Sequence, residues 1–600
     1  MTDDRSPRLL WTDDGEPRSG RFGDVYFSRE DGLSETRAVF LAGSGLPEAW
    51  TGRRRFTVAE LGFGTGLNIA ALLDLWRREG PADGRLHIFS VEGFPLTREE
   101  AARALSGWPE IREASEALLA AWPAPTPGLH RLDLSGFNAT VDLWTGEVEP
   151  ALAQWSGAAD AWFLDGFAPS TNPGMWSEAV FDGIRGRSAP GARVATFTVA
   201  GVVRRGLSDR GFAVEKRPGH GRKRERLEAW LPGAVVEASP PRIAIVGAGI
   251  AGTSLTRAFV DLGLTPTVIE AERAGAGASG FDAALVTPRL DAGDMDIAAL
   301  HASALERART LYAATPGAVL AQGVLQLEQA PRDAGRHAKV AAQDLWAERG
   351  MTVLDADACA ERLGEPVEAG GLMMGGALAV RPAVVLEAWL AGAERVTAAV
   401  TGLERADDAW RLIGAGGVMV MEADIVVLAG GWGNAALTEV PLSPVAGQAD
   451  VVEGVDGGPV AWGGYAVPTG GGLLFGATHD RGVTEPVVSA EASARNLATV
   501  EARLPGLAER IAAAGPSRGR VAVRATTPDR LPLAGALAEG LYVLGGMGSR
   551  GFCVAPLLAE HVVATAVGAP SPLPRDLADR VRPSRFVAKG LVQPSGSSDG

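Results

Sequence analysis

The sequence predicts an α/β protein made of two doubly wound Rossmann-like domains in series, the second carrying an inserted α+β substrate domain. Three observations predict it. Short β-branched or apolar runs alternate with Ala/Leu-rich helical stretches through both halves of the chain, the pattern of parallel sheets covered by helices. Each half opens with a glycine-rich turn between a strand and a helix, at residues 60–68 and 245–252. Between the halves stands Glu237-Ala-Ser-Pro-Pro-Arg242, whose two prolines fix φ and remove two amide donors, so that neither a helix nor a central strand runs through them.

In the first half Phe56–Leu61, His87–Val91, Ala161–Leu164 and Arg193–Phe197 read as strands, with a helix over Asn68–Arg78. In the second, Ile243–Val246, Thr267–Ile269, Ile425–Ala429 and Leu541–Leu544 read as strands, with a helix over Ala555–Ala566. The expected organisation is a first domain over 1–235, a linker over 236–242 and a second domain over 243–570. Within the second, nucleotide-binding parts fall near 243–295, 380–440 and 520–570, with substrate-binding parts between them. A Pro/Ser-rich tail is expected over 571–600.

At 600 residues, 46% apolar and 22% charged, the chain is ordinary globular material with ample core. Two cysteines, Cys359 and Cys553, exclude a disulfide scaffold or a Cys-rich metal cluster, and the seven histidines show no ligand spacing. No metal is expected. The acidic N-terminus has no apolar stretch of a signal peptide, and no run approaches the ~18 apolar residues of a membrane span. A cytoplasmic, monomeric protein is expected.

Glu60-Leu-Gly-Phe-Gly-Thr-Gly-Leu-Asn68 follows a strand and opens a helix. Gly62, Gly64 and Gly66 let the backbone turn tightly and approach a ligand with no Cβ in the way. Glu92 ends the next strand, where a carboxylate accepts ribose hydroxyls. This E-x-G-x-G-x-G form followed by an acid is a cradle for S-adenosylmethionine, so Glu60, Asn68 and Glu92 join the three glycines as cofactor-binding candidates. Asp165, ending the strand Asp160-Ala-Trp-Phe-Leu-Asp165, points into the crevice at the carboxyl edge of a parallel sheet. There it is placed to orient, or take a proton from, an amine attacking the methyl sulfonium. An Asp-Gly turn would explain it equally well.

Ile245-Val-Gly-Ala-Gly-Ile-Ala-Gly252 sets G-x-G-x-x-G directly after a strand, and Glu270 ends the next strand. Gly247, Gly249 and Gly252 bring a helix N-terminus against a pyrophosphate and the acid reads a ribose. FAD, bound without a covalent link, is favoured over NAD by two later turns. These are Ile425-Val-Val-Leu-Ala-Gly430 and Gly540-Leu-Tyr-Val-Leu-Gly-Gly-Met-Gly-Ser-Arg-Gly551. The second aims another helix N-terminus, through Gly546, Gly548 and Gly551, at the flavin, where it would stabilise the negative charge of the reduced ring. Cys553 lies close by, but a buried small hydrophobe explains it better than a covalent flavin link. Arg524, Arg550 and Arg289 are candidates for a bidentate grip on a substrate carboxylate, although a surface salt bridge is the ordinary role of any one arginine.

The formal charge of −15 argues against a nucleic-acid partner until it is divided. Residues 1–235 hold 28 basic and 32 acidic residues, net −4, and the remainder carries −11. The first half also clusters its cations, above all in Lys216-Arg-Pro-Gly-His-Gly-Arg-Lys-Arg-Glu-Arg226. Such a run is either a solvated face or a loop that tracks a nucleic-acid backbone. Its glycines and proline and its place beside the sheet edge favour the second, through Lys216, Arg217, Arg222, Lys223 and Arg224.

Several of these segments together resemble a known family. Arg21-Phe-Gly-Asp-Val-Tyr-Phe-Ser28, Gly32-Leu-Ser-Glu35, the first glycine loop, Leu164-Asp-Gly-Phe-Ala-Pro169 and Gly221-Arg-Lys-Arg-Glu225 are similar to the methyltransferase half of the bifunctional tRNA wobble-uridine modification enzymes of the MnmC family. The segments around Arg524 and Arg550 resemble carboxylate-binding segments of the glycine/sarcosine and D-amino-acid oxidase fold, to which the other half of that family belongs. The resemblance implies FAD-dependent removal of a carboxymethyl group from 5-carboxymethylaminomethyl-2-thiouridine in tRNA. Methylation of the exposed amine from S-adenosylmethionine would follow. It also implies that Glu147 faces the adenine and that Ser279 and Gly430 touch the flavin nucleotide. Two departures stand out: Glu147 replaces an expected Asp after Gly146, and Phe281 follows Ser279-Gly280 where Asn is more usual. Oxidation of free glycine or sarcosine, or a flavin-bearing tRNA-binding module with an inactive oxidase site, remain the rival readings.

Overall fold

The computed structural model describes residues 6–13, 15–27, 32–221, 224–234 and 239–588. The chain divides into two compact units, residues 1–239 with 569–575, and residues 240–568 with 576–600.

In the first unit a short antiparallel hairpin, β1 (Leu9–Trp11) and β2 (Pro17–Ser19), precedes an eight-stranded sheet. Its strands are β3 (Arg55–Leu61), β4 (Arg85–Glu92), β5 (Gly128–Leu134), β6 (Ala139–Thr145), β7 (Ala159–Leu164), β8 (Ser188–Thr196), β9 (Ala213–Pro218) and β10 (Glu225–Trp230). They lie in the order β5-β6-β4-β3-β7-β8-β10-β9. The five from β6 to β8 run parallel, and β5, β10 and β9 pair antiparallel at the two ends. After β3 the chain builds outward through β4 to β6, then returns to the other side of β3 as β7. The topological switch therefore lies at the carboxyl ends of β3 and β7, where ligands bind in such sheets.

Both faces of this sheet are covered, which is why its strands read as nearly continuous apolar runs. Along β3, Phe56 and Val58 enter one buried layer and Ala59 and Leu61 the other, as the period of two requires. In the second layer Trp155 stacks on Phe89 with ring centroids 4.4 Å apart. Each such side chain contributes about 1.5–3 kcal/mol by leaving water.

The second unit is built on a six-stranded sheet in the order 394–397, 267–270, 243–246, 425–428, 541–545, 533–538. All neighbours are parallel except the closing hairpin of 533–538 and 541–545. The segments 284–380 and 443–526 form a separate, mostly antiparallel ten-stranded sheet, in which Ser443–Glu453 pairs with Arg518–Thr526. The helices Met295–Ala313, Arg332–Ala341, Ala490–Glu501 and Pro505–Ala514 lie in the same segments.

The helix Gly551–Val567 contains Pro556. Proline has no N–H to give the carbonyl four residues earlier, and that carbonyl, of Phe552, instead accepts a hydrogen bond from the buried Tyr312 hydroxyl at 2.7 Å. Tyr312 also stacks on Trp389 with centroids 5.1 Å apart. Tyr312→Phe therefore leaves a buried carbonyl without a donor while keeping the ring. A loss of about 1–3 kcal/mol is expected, read as a lowered denaturation midpoint with an unchanged denaturant slope.

Of the expected Pro/Ser-rich tail over 571–600, residues 589–600 lie outside the described residues. Arg575–Val581 and Arg585–Ala588 are helices, and Leu577, Val581 and Phe586 are buried. Phe586 packs with Val426 and Leu428 of the six-stranded sheet. Leu573 is buried as well. Residues 569–575 cluster with the first unit rather than closing the second. No helix among the described residues is long and apolar enough to cross a membrane.

Candidate active sites

In the first unit the turn after β3 wraps the carboxyl edge of the sheet. Gly62, Gly64 and Gly66 have φ of +109°, +52° and +81°, where L side chains are strained. Gly62 is also closed to substitution by space, since a Cβ there would lie 2.6 Å from the Asp165 carbonyl oxygen. The Gly62 and Phe63 N–H groups both donate to the Val91 carbonyl, at 3.1 and 3.0 Å, which ties the turn to the end of β4. The next residue, which ends β4, is the acid. Glu92 accepts from the Gly64 N–H through Oε2 and from the Phe94 N–H through Oε1, each at 2.8 Å. Burial raises its pKa, and these main-chain donors pull it back.

A cavity of about 550 Å³ opens here, lined among others by Gly62, Gly64, Asn68, Glu92, Glu147 and Asp165. That is the size of a site for a nucleoside-bearing ligand. Asn68 Nδ2 donates to Asp165 Oδ2 at 2.7 Å and to Glu60 Oε1 at 3.1 Å. Glu60 itself lies behind this wall, 1% exposed, 2.6 Å from the Ser90 hydroxyl. Burial pushes its carboxyl up to about 8, so it is neutral at pH 7. A direct cofactor contact for Glu60 is thus corrected: the side chain is enclosed by protein and reaches the cavity wall through Asn68. Gly66 likewise serves the turn, where a Cβ would press on Leu118.

In the second unit the glycines meet as a cradle. A Cβ on Gly247 (φ +107°) would lie 2.8 Å from the Ala429 carbonyl oxygen and from the Gly430 Cα, and one on Gly252 would lie 1.8 Å from the Gly247 carbonyl oxygen. Gly430 is held by its N–H to Asn434 Oδ1 at 2.8 Å. Glu270 Oε2 accepts from the Ala248 N–H at 2.8 Å, and Ser279 Oγ accepts from the Ile250 N–H at 2.9 Å. Gly546 and Gly548 turn with φ of +64° and +54° before the helix that starts at Gly551. A Cβ on Gly551 would lie 3.2 Å from the Ile250 side chain. Two helix N-termini therefore stand side by side, a concentration of positive dipole suited to a pyrophosphate and an electron-rich ring. These residues fit FAD.

On the inserted sheet, Arg524 projects toward Gly447, where any Cβ would lie 2.3 Å from Nη2, and that nitrogen donates to the Thr478 carbonyl at 3.1 Å. Arg550 is committed differently. Its Nη1 donates to the carbonyls of Thr287 and Pro288 at 3.1 and 2.8 Å, pinning the turn that carries Arg289, which itself pairs with Asp291 at 3.1 Å. Both arginines thus donate to main-chain carbonyls, Arg524 through Nη2 and Arg550 through Nη1. His301, beside Arg550 and Arg289, is buried and its pKa is pushed down to about 3 by desolvation and by those guanidiniums, so it is uncharged. Burial pushes the Cys553 thiol up to about 12, in keeping with a buried small hydrophobe. Phe281 is half-buried, with the Arg520 guanidinium 5.5 Å from its ring centre, while Arg520 Nη2 holds the carbonyls of Gly275, Ala276 and Gly277 at 2.9–3.1 Å.

A family of S-adenosyl-L-methionine-dependent methyltransferases matches residues 109–232, and a family of FAD-dependent oxidoreductases matches residues 242–565. A relative from Caulobacter sp., the tRNA 5-methylaminomethyl-2-thiouridine biosynthesis bifunctional protein MnmC, is 55% identical over 99% of this chain and 100% of its own. The chain belongs to the MnmC family. Relatives of the same name from Caulobacter vibrioides and Maricaulis maris are 55% and 44% identical, over 98% and 97% of this chain and 98% and 96% of theirs. Among solved structures, L-proline dehydrogenase from P. horikoshii is similar with a TM-score of 0.51 at 18% identity, over 60% of this chain and 100% of that one. Iminodiacetate oxidase from Chelativorans sp. gives 0.50 at 22%, over 57% and 99%. These two likenesses speak to fold.

This MnmC-family chain is a two-cofactor protein, using S-adenosylmethionine and FAD. The basic run departs from its reading as a loop. It is the hairpin β9–β10, in which Lys216 pairs with Glu225 at 2.8 Å and Arg217 with Glu215 at 2.6 Å. Arg224 is exposed near the hairpin tip, and Arg222 and Lys223 lie outside the described residues. The tip nevertheless meets the first site: His220 and Gly221 line the cavity, and His220 Nε2 lies 3.0 Å from the Ser34 hydroxyl. Among the described residues no group of three His, Cys, Asp or Glu side chains is arranged to hold a metal.

The residues missed from sequence are aromatic. Phe22, Tyr26, Phe94 and Phe167 all line the cavity. Phe22 contacts Phe94 and Phe167 at 5.6 and 5.0 Å between centroids, and Tyr26 contacts Phe167 at 5.5 Å. The Arg21 guanidinium lies 4.2 Å over Phe94. A signal was present: Glu92-Gly-Phe94 and Asp165-Gly-Phe167 repeat one acid–Gly–Phe triplet at the ends of the two strands that flank β3, setting an aromatic two residues beyond each site carboxylate.

Proposed function

We propose that this chain carries out two consecutive steps at the wobble uridine of tRNA, in the cytoplasm. The second unit removes the carboxymethyl group of 5-carboxymethylaminomethyl-2-thiouridine, and the first methylates the amine so exposed, giving 5-methylaminomethyl-2-thiouridine. The observation that carries the reading is a glycine-and-acid cradle in each unit; Asp165 lines the cavity of the first, and the inserted sheet of the second carries Arg524. The full-length likeness to MnmC relatives supports it.

In the second unit, Arg524 binds the substrate carboxylate and fixes the carbon between it and the amine. FAD, which Gly247, Gly252, Gly430 and Glu270 would hold, would supply the hydride acceptor for oxidation of that carbon to the imine. Water then adds to the resulting imine, and the C–N bond breaks to release glyoxylate and a primary aminomethyl group. In the first unit, S-adenosylmethionine supplies the methyl group on a sulfonium. Asp165 orients the amine and takes its proton, so that the nitrogen lone pair forms the N–C bond as the S–C bond breaks onto sulfur. The aromatic wall beside Asp165 supports entry of a base splayed out of a single-stranded loop, which stacks on such rings at about 1–3 kcal/mol per base.

Mass spectrometry of wobble nucleosides from cells lacking this protein tests the reading. The carboxymethylaminomethyl form is expected to accumulate; an unchanged profile, or glyoxylate release by the purified protein from glycine alone, counts against it.

A further inference from the structure

We propose that Asn68 is a positioning residue for methyl transfer: its side-chain amide fixes the Asp165 carboxylate by bridging it to the buried carboxyl of Glu60. The inference rests on the proposed methylation step and assigns Asn68 and Glu60 a task other than cofactor contact.

The amide is held from three directions. Nδ2 spends one N–H on Asp165 Oδ2 at 2.7 Å and the other on Glu60 Oε1 at 3.1 Å. Oδ1 accepts from the Thr36 hydroxyl at 2.8 Å. Rotating the amide by half a turn would set its oxygen against two carboxyl oxygens, so the orientation is dictated by its partners. The three partners come from separate elements: Thr36 from the helical turn Thr36–Leu41, Glu60 from β3 and Asp165 from the end of β7. Asn68 itself starts the helix Leu67–Glu79 and is 6% exposed. An amide anchored this way has a single rotamer available, and so has the carboxylate oxygen it holds.

Glu60 makes the bridge workable. Two ionised carboxylates on one amide nitrogen would repel at close range. Burial keeps Glu60 protonated at neutral pH, so the cluster bears its charge on Asp165, the member that lines the cavity. Donation from Asn68 fixes one oxygen of the Asp165 carboxylate within the cavity wall, so that the group is held ready for the amine.

The test uses the full-length protein, its cofactors and tRNA bearing 5-aminomethyl-2-thiouridine, with methyl transfer followed against pH. Asn68→Asp replaces the donor by an acceptor of the same shape. Its methyl-transfer kcat is expected to fall at least about ten-fold at pH 7, the equivalent of roughly 1.4 kcal/mol. The acid limb of kcat/KM should move to higher pH by about one unit, so that part of the rate returns in alkaline buffer. Affinity for S-adenosylmethionine should change by less than about three-fold. Thr36→Val, which removes only the donor that sets the amide, is expected to shift the limb the same way by a smaller amount, and stands in if Asn68→Asp does not fold. Retained binding of S-adenosylmethionine by the variants reports that the first unit is intact. An unmoved pH limb in both variants, or a loss explained wholly by weaker S-adenosylmethionine binding, overturns the inference while leaving the proposed function standing. Failure of the wild-type protein to methylate this tRNA overturns both.

Discussion

Protein carrying Gly252→Ala is expected to emerge from purification with its flavin occupancy reduced at least ten-fold, as read by flavin absorbance per chain. The new Cβ would sit 1.8 Å from the Gly247 carbonyl oxygen, far inside any contact distance. The neighbour is backbone, fixed in turn by Gly247's own lack of space against Ala429 and Gly430. The helix Ile250–Asp261 must therefore retreat from the strand 243–246, withdrawing its N-terminal N–H groups from the pyrophosphate they would hold. Glyoxylate release from carboxymethylaminomethyl tRNA should fall with the flavin. Methylation of tRNA already bearing the aminomethyl group should persist, because that chemistry belongs to the other unit. Full flavin occupancy in this variant would mean that the cradle is not where the cofactor binds.

Asp165→Asn should cut methyl transfer by about 10²–10⁴-fold, the range for loss of a positioned acid–base group. The amide keeps the size of the carboxylate and an oxygen for Asn68 to reach, but it neither carries charge nor accepts a proton at neutral pH. The loss should appear in kcat with S-adenosylmethionine affinity little changed, because on the proposed reading Glu92 and the glycine turn, not Asp165, would hold the nucleoside end. The acid limb of the pH profile should disappear with the group that produces it. Single-turnover transfer of a labelled methyl group is the direct measurement. A rate within a few-fold of wild type would reduce Asp165 to an Asp-Gly turn residue, the other role open to it from sequence.

Much of this site was legible because its parts are local. A turn such as Gly62–Gly66 must use glycine wherever φ is positive, and an acid at the end of a neighbouring strand falls beside it by the geometry of a parallel sheet. The same holds for Gly247, Gly252 and Glu270. What remained hidden is set by partners far apart in the chain. Asn68 gathers residues 36, 60 and 165 onto one amide, and no periodicity announces that. Glu60 reads as a ligand contact because its motif usually is read so, whereas its burial depends on layers contributed by several elements. The run 216–226 looked like a loop because its glycines and proline sit at the centre. Antiparallel pairing of Ala213–Pro218 with Glu225–Trp230, the second of which alternates in burial, makes it a hairpin. The pairing of Ser443–Glu453 with Arg518–Thr526 likewise spans a stretch that contains four other strands and two helices.

The assignment of residues 569–575 to the first unit has a practical side. The chain passes between its units three times, after 239, after 568 and after 575, so no single cut separates the two activities cleanly. Pro570 gives its carbonyl to Arg131 Nη2 at 3.0 Å. The same guanidinium closes on the fully buried Asp142 at 2.8 and 2.7 Å, holding that carboxyl well below the usual carboxylate range. A methyltransferase fragment ended at the proline seam would lose a clasp that its own buried ion pair uses. An excised gene piece meant to act alone has to carry a graft of that distant peptide, and shuffling halves between relatives has to exchange it together with the first half.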